Sequence, residues 1–249
     1  MKTEWDYTTL AESYLKRPAY AEDAISTMLE HAGVRQGARI CDIGAGTAHL
    51  TIPLAQRGFH VTAVEPNDAM REQGVKRTSD YPNVTWYEGT GEASGQPDSQ
   101  FDLVTFGSSF NVVDRQAALR EARRILVPKG WMACMWNHRD LDDPIQARIE
   151  AIIKARVSGY DYGSRREDQT QFLENSGIFS SVRFIEGTVE HRQPVSDVVE
   201  AWRSHATLQR QAGEQFSKLV DEISDYLRDL GESSISVPYT TRLWMARAV

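Results

Sequence analysis

A glycine turn in the first fifth of the chain has the residue types and spacing of a nucleotide-binding loop. An apolar run at 38–43 is followed by Gly44 and Gly46, and a helix is predicted at 48–57. Glycines at such a strand–turn–helix junction let the backbone approach a ligand closely, and the N-terminus of the helix offers unpaired N–H donors. A dinucleotide-binding loop has a third glycine where this chain has His49. The spacing therefore favours a nucleotide-type ligand other than NAD.

Polar residues also follow the next apolar runs of the chain. Glu65 comes directly after a predicted strand at 60–64, where a carboxylate can accept hydrogen bonds from both hydroxyls of a ribose. The third and fourth predicted strands lead into 88–92 and 106–110. Because ligands of open α/β sheets bind beyond the carboxyl ends of the strands, we expect these segments to meet at one edge. The alternative for Glu65 taken alone is a solvated turn carboxylate.

The elements that must position these residues alternate regularly along the first half of the chain. A short helix (8–16) and an amphipathic helix (21–32, closed by Gly33) come first. The pattern then predicts strands and helices in turn: strands at 38–43, 60–64, 84–87, 101–106 and 131–136, and helices at 48–57, 68–78 and 115–126. This alternation implies right-handed βαβ units and a doubly wound sheet.

The second half of the chain is predicted to be mostly helical. Helices are expected at 144–157, 167–175, 196–204 and 209–230, and strands at 182–189 and 239–248. We therefore predict one domain over 1–249, made of an N-terminal lid (1–20), a ligand-binding core (21–137), and a final part (138–249) that adds strands and a helical lid at about 195–235.

Composition and charge restrict the classes of function. The 249 residues are 41% hydrophobic and 25% charged, which is enough to bury a full core. A net charge of −7 without a basic block argues against a nucleic-acid surface, and no apolar run is long enough to span a membrane. The first residues lack an apolar signal region, so we expect a cytoplasmic location. Cys41 and Cys134 are expected to be reduced core thiols, and no Cys/His spacing indicates a metal site.

The combined pattern resembles the class I S-adenosylmethionine-dependent methyltransferases. The matching pieces occur in the family's order and spacing: 42–47, 64–70, 88–93, 101–104 and 123–130. The resemblance implies an α/β fold, a Rossmann-like doubly wound seven-stranded sheet with an antiparallel last strand. It also implies a helical lid between the last two strands and an N-terminal lid helix, all within a single methyltransferase domain.

The resemblance further implies S-adenosylmethionine as cofactor, with S-adenosylhomocysteine as its product, and a role for each matching residue. Asp42 would orient the loop, and Glu65 would take the ribose hydroxyls. The residues implied to line the methionine part are Gly44, Ala45, Gly46 and Thr47. Those implied to lie near the adenosine or the sulfonium are Pro66, Met70, Thr90, Gly91, Glu92, Phe106, Gly107, Ser108 and Phe110. Thr90 stands where the family usually has Asp.

An N-terminal Tyr-x-x-Arg pair adds one more likeness. In related small-molecule methyltransferases such a pair lies on an N-terminal helix that folds over the cofactor, and here the pair is Tyr14 and Arg17. The resemblance implies that Arg17 pairs with the cofactor carboxylate, an anion suited to a guanidinium fork. The alternative is a surface helix with an ordinary amphipathic tyrosine.

The acceptor side is predicted from strand ends and the lid. A sulfonium methyl is already activated, so the reaction needs a positioned nucleophile, which can supply about 7–11 kcal/mol of the barrier. His138, beside the fifth strand, and Tyr7, in the N-terminal lid, are the candidate catalytic bases, although His138 could instead make a structural hydrogen bond. The candidate substrate-binding residues are Asn111, Asn137, Arg139 and Trp202.

The acceptor is expected to be a small molecule, with no nucleic-acid or membrane partner. Nucleic-acid amino-methylating relatives carry an Asn/Asp-Pro-Pro-Tyr/Phe element where this chain has residues 108–111, which contain no proline. The runs 14–18 and 136–140 resemble bacterial N- or O-methyltransferases of secondary metabolism, for which an azapteridine-like heteroaromatic acceptor is one candidate. Two alternatives stay open: an NAD-dependent oxidoreductase, and a non-catalytic protein that binds S-adenosylmethionine.

Overall fold

The computed structural model describes residues 8–249, so the predicted catalytic Tyr7 lies outside the described residues. Within them, seven strands form one sheet in the order β3-β2-β1-β4-β5-β7-β6. The strands are β1 (Arg39–Ile43), β2 (His60–Val64), β3 (Val84–Tyr87), β4 (Phe101–Gly107), β5 (Leu126–Arg139), β6 (Phe179–Pro194) and β7 (Ser234–Ala248). Strands β1 to β5 run parallel, and β7 is antiparallel to both β5 and β6. The predicted doubly wound sheet with an antiparallel last strand is confirmed.

Ten α-helices flank this sheet in the described part of the chain. They are α1 (Ala11–Tyr14), α2 (Glu22–Ala32), α3 (Thr51–Gln56), α4 (Asp68–Arg77), α5 (Arg115–Ile125), α6 (Pro144–Arg156), α7 (Thr170–Glu174), α8 (Val195–Arg203), α9 (Ala206–Ala212) and α10 (Phe216–Asp229). Short 3-10 turns occur at Thr8–Leu10, Gly163–Arg166 and Gly213–Gln215. None of the helices in residues 8–249 combines the length and the apolar character that crossing a bilayer requires.

Side-chain caps explain where three of the helices begin. The Asn67 side chain accepts from the N–H of Met70 at the start of α4, and Asp114 accepts from the N–H of Ala117 at the start of α5. Asp143 caps α6 in the same way and is followed by a proline at the first helical position. Each cap satisfies a donor that the helix itself leaves unpaired.

Two predicted helices differ from the structure for a backbone reason. The helix expected at 48–57 begins at Thr51, because Ala48 takes a positive φ of 70° that is incompatible with an α-helix. The helix expected at 209–230 is interrupted at Gly213, whose φ is 53°. The 3-10 turn that begins at Gly213 therefore separates α9 from α10.

The last strands are longer than the sequence pattern predicts. Strands β6 and β7 pair from Phe179 opposite Ala248 to Pro194 opposite Ser234, although only 182–189 and 239–248 alternate clearly. The extra length of β7 extends beyond the main core, where Ile235 and Val237 pack among lid helices. Pairing with a neighbouring strand therefore extends the sheet past its alternating segments and makes it the support of the lid.

Three apolar clusters hold these layers together. One lies between the sheet and α5, and a second lies between the opposite face and helices α2 and α3. Both cysteines are free and fully buried, Cys41 and Cys134 in the first cluster. A third cluster joins α6, α8 and α10 around Trp202 and Leu219. The lid is thus larger than the expected 195–235, because α6 forms part of its core.

Candidate active site

One large cavity lies at the carboxyl ends of the parallel strands. Its volume is about 860 Å³, and its wall includes the ends of β1, β2, β4 and β5, the N-terminal segment, and parts of the lid. Small-molecule sites commonly occupy about 300–1,000 Å³ and favour this edge of an open α/β sheet. The position agrees with the edge at which the sequence places its polar strand ends.

The glycine turn forms the floor of this cavity. Gly44 has a φ of +67°, and a Cβ at this position would lie 2.4 Å from the Cβ of Ser109. The N–H groups of Gly44 and Ala45 both donate to the carbonyl of Val64, at 2.8 and 3.1 Å. A side chain would therefore be strained and would also collide with the end of β4. The turn is held against β2, and its glycine keeps the two strand ends close.

The carboxylate of Glu65 connects the turn to the next loop. Its Oε2 accepts from the N–H of Gly46 and its Oε1 accepts from the N–H of Asn67, both at 2.9 Å. Burial raises the pKa of Glu65, and these two hydrogen bonds oppose that shift. Each carboxylate oxygen can accept a second hydrogen bond, and Glu65 lines the cavity. The donor set of a vicinal diol, two O–H groups on adjacent carbons, matches these two remaining acceptors.

Asp42 is enclosed by hydroxyl groups that the sequence analysis did not identify. Its Oδ2 accepts from the hydroxyl of Thr51 at 2.7 Å, and its Oδ1 accepts from the hydroxyl of Thr105 at 3.0 Å. Burial raises the pKa of Asp42 to about 6, and both hydroxyls oppose this shift. The side chain therefore ties β1 to α3 and β4, the geometry expected of a residue that orients the loop. In the sequence, Thr51 and Thr105 are simply threonines at the start of a helix and inside a strand, and such threonines are too common to indicate a role.

Most of the other residues that the resemblance assigns to the cofactor also line the cavity. These are Tyr14, Arg17, Ala45, Gly46, Thr47, Pro66, Met70, Thr90, Gly91, Glu92, Gly107 and Ser108. A Cβ on Gly46 would lie 3.4 Å from the terminal methyl of Met70, so Gly46 and the Met70 side chain are neighbours in the cavity wall. The cavity floor is therefore bare backbone beside an apolar side chain, a fit for a ligand with a flat heterocycle.

Phe106 and Phe110 do not lie in the cavity wall, contrary to the expectation that Phe106 flanks the sulfonium and Phe110 lies close to the methyl group. Both side chains are fully buried, with their ring centroids 5.2 Å apart, and Phe110 also meets Phe172 edge-on. They belong to the cluster between the sheet and α5. Phe106 lies in β4, whose side chains alternate between the two faces of the sheet, and Phe110 lies in the loop that follows; both rings pack in the apolar layer against α5 and not at the ligand edge.

The N-terminal segment closes one side of the cavity. The guanidinium of Arg17 lies 3.6 Å from the centroid of the Tyr14 ring, a cation–π arrangement. Behind them, the hydroxyls of Tyr20 and Ser108 are 2.9 Å apart, and both residues line the cavity. Burial raises the pKa of Tyr20, so this hydroxyl stays protonated. Tyr20 is a lining residue that the sequence analysis did not select.

His138 lies near the end of β5, buried but in contact with the cavity. Its Nε2 is 2.9 Å from the carbonyl oxygen of Arg165. A carbonyl can only accept, so Nε2 carries the proton and Nδ1 carries the lone pair. Burial, assisted by the charge of Arg166, lowers the pKa of His138 to about 4. The imidazole is therefore neutral at pH 7. Its Nε2 makes a structural hydrogen bond, and its Nδ1 can accept another.

The candidate substrate-binding residues divide into two groups. Asn111, Asn137 and Arg139 line the cavity. The Asn111 Oδ1 accepts from the indole N–H of Trp136 at 2.8 Å, which fixes the amide orientation. Trp202 is not in the wall, contrary to the expectation: only 1% of it is exposed, and Arg139 lies over its ring at 4.0 Å. The indole is thus core of the lid that supports a residue of the wall.

The lid also contributes wall residues that the sequence analysis did not select. They are Arg165, Arg166, Gln193, Ala201, Thr207, Arg210 and Tyr239, and the lid residues Tyr162 and His205 line the cavity with them. Several come from the connection between α6 and α7, which had no periodicity to mark it. Only the packing of the lid over the sheet edge brings them to the cavity.

Comparison with known proteins finds a methyltransferase domain in the chain. Residues 41–134 match the model of a methyltransferase domain family. The chain also superposes on the phosphoethanolamine N-methyltransferase 2 of Haemonchus contortus, whose structure holds phosphomonomethylethanolamine and S-adenosylhomocysteine. The TM-score is 0.56, at 13% identity over 96% of this chain and 56% of that one. At this identity the likeness shows the shared fold.

Two sequence relatives define the group further. An uncharacterized methyltransferase of Mycobacterium tuberculosis is 36% identical over 124 residues, which is 50% of this chain and 48% of that protein. The ubiquinone/menaquinone biosynthesis C-methyltransferase of Shewanella woodyi is 34% identical over 153 residues, 54% of this chain and 61% of that protein. The chain thus aligns with about half the length of the first of these relatives. Together with the fold, the domain match over residues 41–134 and these relatives support the resemblance of the chain to the class I S-adenosylmethionine-dependent methyltransferase superfamily.

Proposed function

We propose that this chain is a methyltransferase that moves the methyl group of S-adenosylmethionine to a nitrogen or oxygen atom of a small molecule, such as a heteroaromatic secondary metabolite. The observation that carries the proposal is the buried Glu65 carboxylate beside a side-chain-free glycine turn, in a cavity of about 860 Å³. This volume is large enough for a nucleoside cofactor and a second small ligand together.

The residues of the cavity floor suit this cofactor by their chemistry. Glu65 would accept from the ribose hydroxyls, the turn at 44–46 would lie along the methionine part, and Met70 would pack on the adenine. Arg17 would pair with the carboxylate of the amino acid part, since a guanidinium binds a carboxylate through two parallel hydrogen bonds. When bound, the cofactor supplies an electrophilic methyl group on a sulfonium.

On the acceptor side, this chain's residues would position the nucleophile and keep water out. Proximity and orientation can supply about 7–11 kcal/mol of such a barrier. His138 presents a neutral imidazole whose Nδ1 can accept a hydrogen bond from an O–H or N–H group. With a pKa of about 4 it is a weak base, sufficient to orient such a group and unsuited to removing a proton from carbon. This weak basicity favours a nitrogen or oxygen acceptor over the carbon acceptor that the Shewanella enzyme's name specifies.

Calorimetry with S-adenosylhomocysteine tests the cofactor part of the proposal. The Glu65→Gln variant replaces a charged acceptor by an amide and is expected to weaken binding on the order of 10- to 100-fold, because hydrogen bonds to charged groups contribute about 1.5–3 kcal/mol. Glu72→Gln is the matched control, since Glu72 is exposed on α4 and outside the cavity wall. If Glu65→Gln and Glu72→Gln bind S-adenosylhomocysteine with the same affinity, Glu65 does not contribute to cofactor binding.

Two further measurements separate the alternatives. Binding of NADH in place of S-adenosylhomocysteine would contradict the proposal and support an oxidoreductase. Mass spectrometry of a panel of amines, phenols and carboxylates incubated with S-adenosylmethionine should show a product heavier by one methyl group. Cofactor binding without any methylated product would instead support a non-catalytic binding protein.

A further inference from the structure

Three arginines of the lid side form a basic wall, defined here as Arg139, Arg165 and Arg166. All three line the cavity, and each is partly buried. Arg139 is the last residue of β5, and the other two lie in the 3-10 turn between α6 and α7. Arg139 and Arg165 are close enough to interact, since Arg139 contributes to lowering the pKa of Arg165, after burial as the main cause. Arg166 is linked to Arg139 because its Nη2 donates to the Arg139 carbonyl at 3.3 Å.

None of these guanidinium groups has a carboxylate partner within residues 8–249. The ion pairs formed in this part of the chain involve other arginines and lysines. Arg139 lies over the Trp202 ring at 4.0 Å, and Arg165 and Arg166 lie over the Tyr162 ring at 4.9 and 4.1 Å. One in-plane donor of Arg166 is used by the Arg139 carbonyl, and a contact with a ring face leaves the remaining in-plane N–H donors of a guanidinium available. Partly buried positive charge without a counterion is unfavourable, and an anion in the cavity would remove that cost.

A second observation concerns the contact between Arg165 and His205. The His205 Nδ1 accepts from the N–H of Leu208 at 3.1 Å, so it carries no proton. Burial and the neighbouring arginines hold the pKa of His205 well below its ordinary value, so the ring is neutral and its Nε2 carries the hydrogen. That Nε2 lies 3.3 Å from the Nη2 of Arg165. Both atoms are therefore donors, and they lie side by side in the cavity wall.

The acidic residues of the cavity do not supply the missing acceptor. They are Asp42, Glu65, Glu92 and Asp114, all at the sheet edge where the cofactor is proposed to bind. Glu92 accepts from the N–H of Asp114 at 2.7 Å, and Asp114 caps α5. The cavity is thus divided into an acidic part at the ends of β1 to β4 and a basic part under the lid. Arg17 lies on the N-terminal side, close enough to Arg165 to help lower its pKa, and is proposed above to pair with the cofactor carboxylate.

We infer that the methyl acceptor carries a carboxylate or phosphate group, and that Arg139, Arg165 and Arg166 bind this oxyanion together with the Nε2–H of His205. The inference rests on the proposed function for the identity of the cavity as a methyl-transfer site. The planar forks of guanidinium groups match the oxygen geometry of both anions, which is why the two share one site chemistry. Anchoring the charged end under the lid would fix which end of the acceptor faces the cofactor.

Matched probe pairs test this inference. The probes are 4-hydroxybenzoate against 4-hydroxybenzamide, and phenyl phosphate against phenol, titrated into the protein with and without S-adenosylhomocysteine. The wild-type chain is expected to bind at least one anionic probe on the order of tenfold more tightly than its neutral partner, with affinity that declines as salt is raised. The anion with the larger preference identifies the acceptor as a carboxylate or a phosphate.

Variants then locate the effect. Arg165→Gln and Arg139→Gln should abolish the preference for the charged probe, and Arg165→Lys should retain part of it, because the charge remains without the fork. Arg148→Gln is the control, since Arg148 is exposed on α6 and outside the cavity wall. The affinity for S-adenosylhomocysteine should be the same in all four variants, which also shows that they are folded.

The outcomes separate this inference from the proposed function. If the wild-type chain does not bind S-adenosylhomocysteine, the proposed function is contradicted. The preference for anionic probes is measured separately, without S-adenosylhomocysteine, and still tests the inference. The inference would be overturned if the charged and neutral probes bound equally well, or if neither anionic probe bound. It would also be overturned if Arg165→Gln and Arg139→Gln kept the preference for the charged probe.

Discussion

Replacement of Gly44 by alanine tests the central contact of the fold, where the ends of β1 and β4 approach each other. A Cβ at position 44 would lie 2.4 Å from the Cβ and 2.9 Å from the Oγ of Ser109. Ser109 cannot move away easily, because it is buried and its hydroxyl donates to the carbonyl of Ile43 at 2.6 Å. The substitution must therefore separate the turn from the β4 loop.

The magnitude has two parts that the structure separates. Alanine in the left-handed region, here at a φ of +67°, costs about 1–2 kcal/mol. Forcing an extra methyl group into a packed site costs about a further 1–3 kcal/mol. We expect Gly44→Ala to lower the free energy of unfolding by about 2–5 kcal/mol. Gly33 provides the matched control, since its φ is +65° and a Cβ there would meet nothing within 4 Å.

The assay is urea unfolding of both variants, followed by calorimetry with S-adenosylhomocysteine. Gly33→Ala should lose only the backbone part, about 1–2 kcal/mol, and should keep the ligand affinity of the wild-type chain. Adding Ser109→Gly to Gly44→Ala removes the colliding atoms and should restore part of the lost stability. The same loss in the two single variants, or no recovery in the double variant, would refute the proposed collision.

Two further predictions concern titratable groups of the cavity. Burial raises the pKa of Asp42 from 3.8 to about 6, so the native state retains a proton that the unfolded chain releases between these values. Stability should therefore decline as the pH rises from about 4 to about 6, by at most about 3 kcal/mol, and Asp42→Asn should flatten this part of the profile in urea unfolding; the same profile in both proteins would contradict this assignment. His138→Gln keeps a donor for the carbonyl of Arg165 but replaces the basic imidazole nitrogen by a non-basic amide oxygen, so kcat should decrease on the order of 100-fold while affinity for S-adenosylhomocysteine is retained. An unchanged kcat would assign His138 a structural role alone.

The sequence was informative where neighbouring residues in the chain determine the local structure. The alternation of apolar runs and helical periods predicted where the first five strands lie along the chain, because burial on both faces makes a parallel strand continuously apolar. Gly44 and Gly46 predicted the turn because a positive φ strongly favours glycine, and both do take one. Glu65 could be selected because its distance from the turn follows from the length of one βαβ unit.

The sequence was less informative where a residue's environment comes from distant parts of the chain. Phe106 and Phe110 are next to Gly107 and Ser108 at the end of β4, yet both rings pack in the apolar layer against α5, whereas Gly107 and Ser108 line the cavity. Alternation along a strand shows that two faces exist but not which face meets a ligand. The placement of Trp202 inside the lid had the same cause.

What the sequence by itself determined is therefore the doubly wound sheet, the glycine turn and the acidic floor of the cavity. Arg139 was already a candidate from its place after the fifth strand, but only the tertiary structure placed Arg165 and Arg166 beside it in the opposite wall, from a 3-10 turn more than twenty residues further along the chain. No local pattern marks such residues, because their charges converge only when the lid packs over the sheet edge. The physical reason is that backbone geometry is set by short-range sterics and burial, whereas the field inside a cavity depends on every charged group that folding brings to it.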